Sequence, residues 1–343
     1  MLVTQHPIFR RFWYPVIPMA RLADGPQPVI LLGEKLVLWR DGDGQPAAAA
    51  DRCCHRSAAL SRGVVQAGNI VCGYHGWTYD RSGRCVRVPQ AKDPERAVNF
   101  KIDAYRCVER YGHAWVALDD PLYGVPEFPE AADPAFRRID QFYEPWNCVG
   151  LRVMENSFDP AHPEFVHAGT FGIPYDPTEP AAEITLFDGG FRYYFESRVR
   201  NPDLQKRNLG IGDDVTVRRR FATWWMPFVM KLAIHYPNGL VHSIVMSATP
   251  LDDRRSMIVQ FCFRNDTEAE AKAAEVIAFD RQVTLEDQRI LESTDPDVPL
   301  NGRGELNMAS DKAGLVMRRM LAALLAREAG AVPAAAPAET VVA

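Results

Sequence analysis

No run of about 18 apolar residues occurs anywhere in the chain, so no segment reads as a membrane-spanning helix. The opening stretch, MLVTQHPIFRRFWYP, lacks the apolar core of a secretory signal, and a cytoplasmic location is expected. Cysteine is sparse: seven residues, an odd number spread over 343, do not read as a disulfide framework. Positive charge is not in excess, since 39 basic residues face 44 acidic ones for a formal net charge of −5, which argues against nucleic acid as a main partner. No Gly-x-Gly-x2-Gly opens a helix after a strand, and no Cys-x4-Cys-x2-Cys run is present. The chain therefore carries neither a dinucleotide fingerprint nor a plant-type ferredoxin cluster of its own. Internal repeats are also lacking.

What is there is a folded composition, 47% hydrophobic and 24% charged, in a chain too long for one ordinary core. From about residue 10 to 120, short β-like runs alternate with Gly, Asp and Pro, as in VILLGEKLVLWRDGDG and NIVCGYHGWTYDRSGRCVRVP. These predict antiparallel hairpins and a small all-β domain over 8–120. PLYGVPEFPEAADP, 121–134, reads as a connector. Within 135–328, FRYYFESRV, RRRFATWWMPFVMKLAIHY, GLVHSIVMSATPL and SMIVQFCFR predict a curved antiparallel sheet with flanking helices, an α+β domain. One long helix is expected from Asp266 or Thr267, where Thr267 and Glu270 have capping-box spacing, to a stop before Pro296. Another is expected from Ser310 to Ala329, with Val316, Met320, Leu321 and Leu324 on one face and Gly330 as its stop. The low-complexity tail, 329–343, is expected to be disordered.

Two constellations carry chemistry. In the β domain, CCHRS and CGYHGW place Cys53, His55, Cys72 and His75 as one thiolate and one imidazole on each of two loops. Such a set suits a structural zinc, or a [2Fe–2S] cluster with two Cys on one iron and two His on the other. Zinc sites more often group their cysteines as Cys-x2-Cys, so the mixed order favours the cluster. Core packing of isolated Cys or His is the common alternative, but two such pairs at short spacing are much rarer by chance.

The second constellation lies in ENSFDPAHPEFVH, where Asp159 and His162 have the spacing of one helical face and Pro163 sets a bend that can bring His167 back. Two His and a carboxylate with open positions suit an O2-activating iron. The carboxylate should come from the long helix, where Val276, Val283, Ile290 and Leu291 form an apolar stripe with Asp287 in its middle. Asp280, two turns earlier on that stripe, competes with it, and its ordinary reading is an edge acid reaching solvent or an arginine.

CCHRSAALSRGVVQAGNIVCGYHGWTYDRSGRC resembles the Rieske domain of the Rieske non-haem iron oxygenases, matching at Cys53, His55, Arg56, Cys72, Tyr74, His75, Gly76 and Trp77. It departs at Cys54 and Gly73, where that family commonly has Pro. The second loop has no spare Cys for the extra disulfide of respiratory-type Rieske proteins, which implies the oxygenase type. ENSFDPAHPEFVH resembles the family's Asp-x2-His-x4-His iron motif, and EDQRILE its distal ligand helix. The resemblance spans about residues 8–328. It implies a helix-grip catalytic domain and a cluster on Cys53, His55, Cys72 and His75. It also implies a mononuclear Fe(II) on His162, His167 and Asp287, with Asn156 beside the metal. Asp159 then bridges to the cluster of a neighbouring subunit. The compact chain is similar to α-only members such as the vanillate and dicamba demethylases and the saxitoxin-pathway hydroxylases, which implies a homotrimer.

On this reading the protein hydroxylates or oxidatively demethylates an aromatic or polycyclic small molecule, with electrons from NAD(P)H through a separate flavin reductase, with or without a ferredoxin. Arg52, Arg56, Arg62, Arg81, Arg84 and Arg87 form a local positive excess that suits an acidic donor, a neighbouring subunit or plain solvation. His242, Ile244 and Met246 alternate onto one strand face, and His242 and Ile244 are candidate substrate contacts; Trp224 and Trp225 are read as core. Two other classes compete: a Rieske electron carrier without oxygenase activity, and a zinc-stabilised binding module.

Overall fold

The protein is described by a computed structural model over residues 1–95, 99–173, 182–330 and 340–342. The chain divides into two compact units, one of Val3–Val125 with Thr249–Asp253, the other of the remaining residues. The expected connector thus straddles the boundary at Val125 and Pro126. The short return at Thr249–Asp253 has a backbone cause: Leu32 and Gly33 donate their N–H groups to the carbonyls of Pro250 and Leu251 at 2.9 and 2.7 Å.

The first unit is all β, as the hairpin signals predict. Its strands are β1 Tyr14–Pro18, β2 Gln27–Leu31, β3 Glu34–Arg40, β4 Pro46–Ala50, β5 Val64–Gln66, β6 Asn69–Val71, β7 Thr78–Tyr79, β8 Cys85–Arg87, β9 Ala104–Arg110 and β10 His113–Ala117. Six pair in the order β1-β10-β9-β4-β3-β2, and β5-β6-β7-β8 form a smaller antiparallel sheet. The Cys72–His75 loop joins β6 to β7 of the small sheet, and the Cys53–His55 loop lies on the passage from β4 to β5. Its core joins Cys53 and Cys72 to Trp77, Tyr79, Cys85 and Ile70, all buried.

The second unit contains β11 Arg137–Trp146, β12 Ala182–Phe187, β13 Gly190–Arg200, β14 Val215–Trp225, β15 Val229–His235, β16 Val241–Pro250, β17 Ser256–Arg264 and β18 Thr340–Val342. They form one sheet in the order β11-β17-β16-β15-β14-β13-β12-β18. Among the described residues five α-helices accompany it: α1 Gly150–Phe158, α2 Pro163–Val166, α3 Asp203–Leu209, α4 Ala273–Leu291 and α5 Lys312–Glu328. The architecture is therefore α+β with an antiparallel sheet. Among the described residues no helix is long and apolar enough to cross a membrane.

Several elements depart from the sequence expectation. RRRFATWWMPFVMKLAIHY, read only as sheet-forming, supplies two strands, because Met226–Phe228 forms a turn around Pro227 between β14 and β15. The Thr267–Glu270 capping box forms, with Thr267 N–H donating to Glu270 at 2.8 Å, but it caps an isolated turn. Lys272 then has extended backbone, so α4 proper begins at Ala273. Its buried face is Val276, Phe279, Asp280, Thr284 and Leu291, whereas Ile290 is exposed. In α5, Ala313, Val316, Met317, Leu321 and Leu324 are buried and Met320 is only half-buried. Of the expected disordered tail, 331–339 and 343 lie outside the described residues. Within it, Thr340–Val342 pairs antiparallel with β12, consistent with the β propensity of a Thr-Val-Val triplet.

Gly150 opens α1 where a side chain has no room: a Cβ there would lie 2.8 Å from Phe228 Cγ and 3.0 Å from the Ala248 carbonyl oxygen. Gly150→Ala is expected to destabilise the protein by about 1–3 kcal/mol, the usual cost of overpacking, read as a lower urea or thermal midpoint. An unchanged midpoint would show that α1 shifts freely.

Candidate metal centres

Tight backbone bonds build the first pair of loops. Cys53 N–H donates to the Ala58 carbonyl and Ser57 N–H to the Cys53 carbonyl, while Cys72 and Gly76 repeat the pattern with Trp77 and Cys72, all at 2.8–3.0 Å. Gly76 has φ +73°, a left-handed turn that glycine adopts without strain. Cys53 and Cys72 are buried, and Tyr79 Oη lies 3.0 Å from Cys53 Sγ. Burial raises the Cys72 thiol pKa, while the backbone N–H groups of Tyr74 and His75 pull the other way. Those amides approach the sulfur as a cluster-bound thiolate would require. The His55 ring stacks on Trp77 at 4.5 Å and lies 4.7 Å from the His75 ring. Its surroundings, then His75 and Arg56, lower its pKa, which keeps it neutral and able to ligate. Its buried Nδ1 has no hydrogen-bond partner among the described residues. Among the described residues, the two sets of three metal-binding side chains whose ligand atoms all lie within 4.8 Å of one another do not draw on these four. One zinc would need such convergence, whereas a two-iron cluster spreads its ligands further apart. The four donors fit the cluster.

The second centre departs from the expected shared helix. Asp159 precedes Pro160, which disfavours helical backbone before it, and α1 stops at Phe158. Pro163 then starts α2 at its first position, so His162 and His167 bracket a single helical turn. Their rings lie 5.1 Å apart, with Nε2 atoms 3.3 Å from each other. Asp287, from α4, places Oδ1 3.2 Å from His167 Nε2 and 3.7 Å from His162 Nε2. Bonds of about 2.1 Å from one ion imply ligand atoms about 3.0–3.4 Å apart, close to this spacing. Asp287 Oδ1 has no hydrogen-bond partner among the described residues, an arrangement costly without a cation. Burial lowers the His167 pKa, but Asp287 and Glu286 outweigh it and hold it above its ordinary value: the pocket attracts positive charge. These three side chains fit a divalent metal with open positions.

Glu286 is a residue that sequence reasoning missed. Its Oε2 lies 2.8 Å from His167 Nδ1 and accepts from Thr170 Oγ1 at 2.8 Å, which orients the ring and aims Nε2 at the centre. Its only sequence signal was its place beside Asp287. Asp159 accepts the N–H groups of Ala161 and His162 at 2.7 and 3.2 Å. Burial raises its pKa, but His162 and these amides outweigh that and keep it ionised.

A cavity of about 130 Å³ adjoins the three donors; Asn156, Asp159, His242, Ile244 and Met246 are on its wall. Trp224 is fully buried, as core. Asp280 also reaches the cavity, and it is neither solvated nor paired with arginine as its ordinary reading expected. It accepts from the Gln141 amide and lies 3.3 Å from His242 Nε2. With Cys262 it forms the other set of three potential ligands. Of the six loop arginines, Arg81, Arg84 and Arg87 pair with Asp41, Asp80 and Glu95. Arg52, Arg56 and Arg62 are exposed, with no ion pair among the described residues.

The model of the Rieske [2Fe-2S] domain matches residues 12–111. That of the vanillate O-demethylase oxygenase C-terminal domain matches 146–327. The chain is 30% identical to methylxanthine N1-demethylase NdmA of Pseudomonas putida over 322 residues, 91% of this chain and 88% of that one. The structure of NdmA with caffeine superposes with a TM-score of 0.83 at 29% identity, covering 95% of this chain and 94% of that one. Dicamba monooxygenase bound to dicamba shares the fold at a TM-score of 0.81 and 22% identity, covering 94% and 99%.

Proposed function

The chain belongs to the Rieske non-haem iron oxygenases, and on that premise we propose that it demethylates or hydroxylates an aromatic or heterocyclic substrate at an iron held by His162, His167 and Asp287. It is an oxidoreductase with a Rieske domain, and its resemblance to a methylxanthine N1-demethylase favours the oxygenase reading over the carrier and the zinc module. The observation that carries the proposal is the convergence of two imidazoles and an unpartnered carboxylate on the wall of a cavity.

An iron there would supply O2 activation at open coordination positions, which is what oxidising an unactivated C–H bond demands. The chain's own residues do the rest. Glu286 fixes the His167 tautomer, leaving Nε2 free to ligate. Asn156 and Asp159 close one side of the cavity, and the face of His242, Ile244 and Met246 packs the substrate ring beside the donors. Oxidising an N- or O-methyl carbon gives a hydroxymethyl product that loses formaldehyde, so demethylation and hydroxylation differ only in which carbon the cavity presents. The name methylxanthine N1-demethylase favours the methyl reading.

Cys53, His55, Cys72 and His75 are proposed to hold the cluster that delivers electrons. The donor is proposed to be NAD(P)H through a separate flavin reductase, with or without a ferredoxin. Arg52, Arg56 and Arg62 flank the cluster loop and offer an acidic protein three uncompensated charges. A homotrimer is proposed as the working assembly.

The test begins with visible absorption and EPR. The purified protein should be brown with a reducible [2Fe–2S] signal, and Cys72→Ala should lose it. A colourless protein with stoichiometric zinc at that site would overturn the reading. With a reductase supplied, substrate-dependent O2 uptake and a mass-spectrometric screen for gained oxygen or a lost methyl then identify the reaction.

A further inference from the structure

We propose that the cavity takes an aromatic substrate bearing a carboxylate, which ion-pairs with Arg220 and Arg218 while the carbon to be oxidised lies toward His162, His167 and Asp287. This rests on the oxygenase reading and deepens it to a substrate class.

The observation begins with inverted polarity on β14. The strand turns Thr216, Arg218 and Arg220 inward and leaves Val215, Val217 and Phe221 exposed. Arg218 is 2% exposed and Arg220 8%, and both are on the cavity wall. Among the described residues neither forms an ion pair with a carboxylate. Arg218 Nη2 donates to Asn201 Oδ1 at 2.6 Å, and its guanidinium lies 4.9 Å from the Tyr236 ring. Arg220 lies over Phe171 and Phe195, at 5.5 and 5.7 Å. Among the described residues the buried Nε atoms of both have no hydrogen-bond partner.

Two adjacent buried cations are costly unless an anion joins them. Burial and the Arg218 charge lower the Arg220 pKa to about 10, so it remains charged at neutral pH. The acids on the same cavity are engaged elsewhere. Asp287 faces the two imidazoles, Asp280 is taken by Gln141 and lies against His242, and Asp159 accepts two backbone amides. A ligand carboxylate matches the planar guanidinium fork, which a neutral carbonyl does less well. Phe171, on the same cavity wall, lies 4.7 Å from the His167 ring and 5.5 Å from the Arg220 guanidinium, so one ring contacts both a proposed iron ligand and the cation. The inferred charge sets this cavity apart from a site for caffeine, the uncharged ligand named for the NdmA structure.

The test uses the holoprotein and two matched probe sets, the 3- and 4-methoxybenzoates and the corresponding methoxybenzamides, with caffeine as a neutral heterocycle. Calorimetric binding is expected to favour at least one acid over its own amide by at least about tenfold. Arg220→Met should remove that preference while leaving amide affinity within about twofold, and Arg220→Lys should restore part of it. If no acid binds more tightly than its amide, or caffeine binds better than every acid, the proposal is overturned. Should Arg220→Met fail to fold, the acid-to-amide ratio of the unmodified protein decides alone. O2 uptake with a reductase separates this from the underlying reading. Preferential acid binding with no uptake on any probe would sink the oxygenase reading and keep the anion site. Turnover of neutral probes without an acid preference would do the reverse.

Discussion

Asp287→Ala is expected to empty the mononuclear centre of iron and abolish turnover while leaving the brown colour and the [2Fe–2S] EPR signal intact. Asp287 is the carboxylate that faces both His162 Nε2 and His167 Nε2, and among the described residues its Oδ1 has no other partner. Removing an oxygen from the group around a metal should cost more than disturbing the residues behind it, for which about 10–100-fold in affinity is typical. Iron per chain, measured after chelator challenge, should therefore fall by more than about 100-fold in affinity. Glu286→Gln supplies the intermediate case: it keeps a partner for His167 Nδ1 but loses the negative charge, and about tenfold weaker binding is expected. Asp280→Ala is the control, since Asp280 holds Gln141 and lies beside His242. It should keep both metals. Iron lost with Asp280→Ala and retained with Asp287→Ala would overturn the assignment.

That control reflects what sequence could and could not reveal. Asp280 and Asp287 lie two turns apart on one helix, and spacing alone offers both to the same interior. What separates them is the partner standing opposite, two imidazoles for one and a glutamine with a histidine for the other, and that depends on contacts with other elements far along the chain. The two Cys–His loops were legible because each pair is local and its turn chemistry, Gly76 above all, is written beside it. Strands β13 to β17 of the large sheet were legible from their β-branched and aromatic content, whereas β11, β12 and β18 were not read as strands. The break between β14 and β15 was not, because Trp224, Trp225 and Phe228 continue the apolar run through the turn at Pro227. Arg218 and Arg220 were invisible for a more basic reason. Alternation identifies two faces but assigns the apolar one to the interior, and here Val215, Val217 and Phe221 are outside. A reading by polarity points that strand the wrong way, and the residues that break the rule are on the cavity.

Asp159→Ala is expected to lower turnover by at least about 10–100-fold while both metal centres remain loaded. Asp159 lines the inner cavity and also an outer groove of about 590 Å³, shared with Arg152, Glu155 and Asn156. Its Oδ2 lies 3.6 Å from His162 Nδ1, a nitrogen with no hydrogen-bond partner among the described residues, so this carboxylate links a proposed iron ligand to the outer groove. A link in that place matters most if the electron arrives from another subunit. In a head-to-tail ring each subunit would offer its cluster face to the next one's iron face. The sharper test combines two dead variants, Cys72→Ala without a cluster and His162→Ala without an iron site. Each alone should be inactive. Co-expressed in equal amounts and mixed at random, about one interface in four joins an intact cluster to an intact iron site, so roughly a quarter of full activity should return. An electron confined to one chain gives no working pair in any mixed ring. Complete inactivity of verified mixed trimers, with metals present at the intact sites, would reject the crossing. Normal turnover by Asp159→Ala would leave that carboxylate with only its turn at Ala161 and His162 to hold.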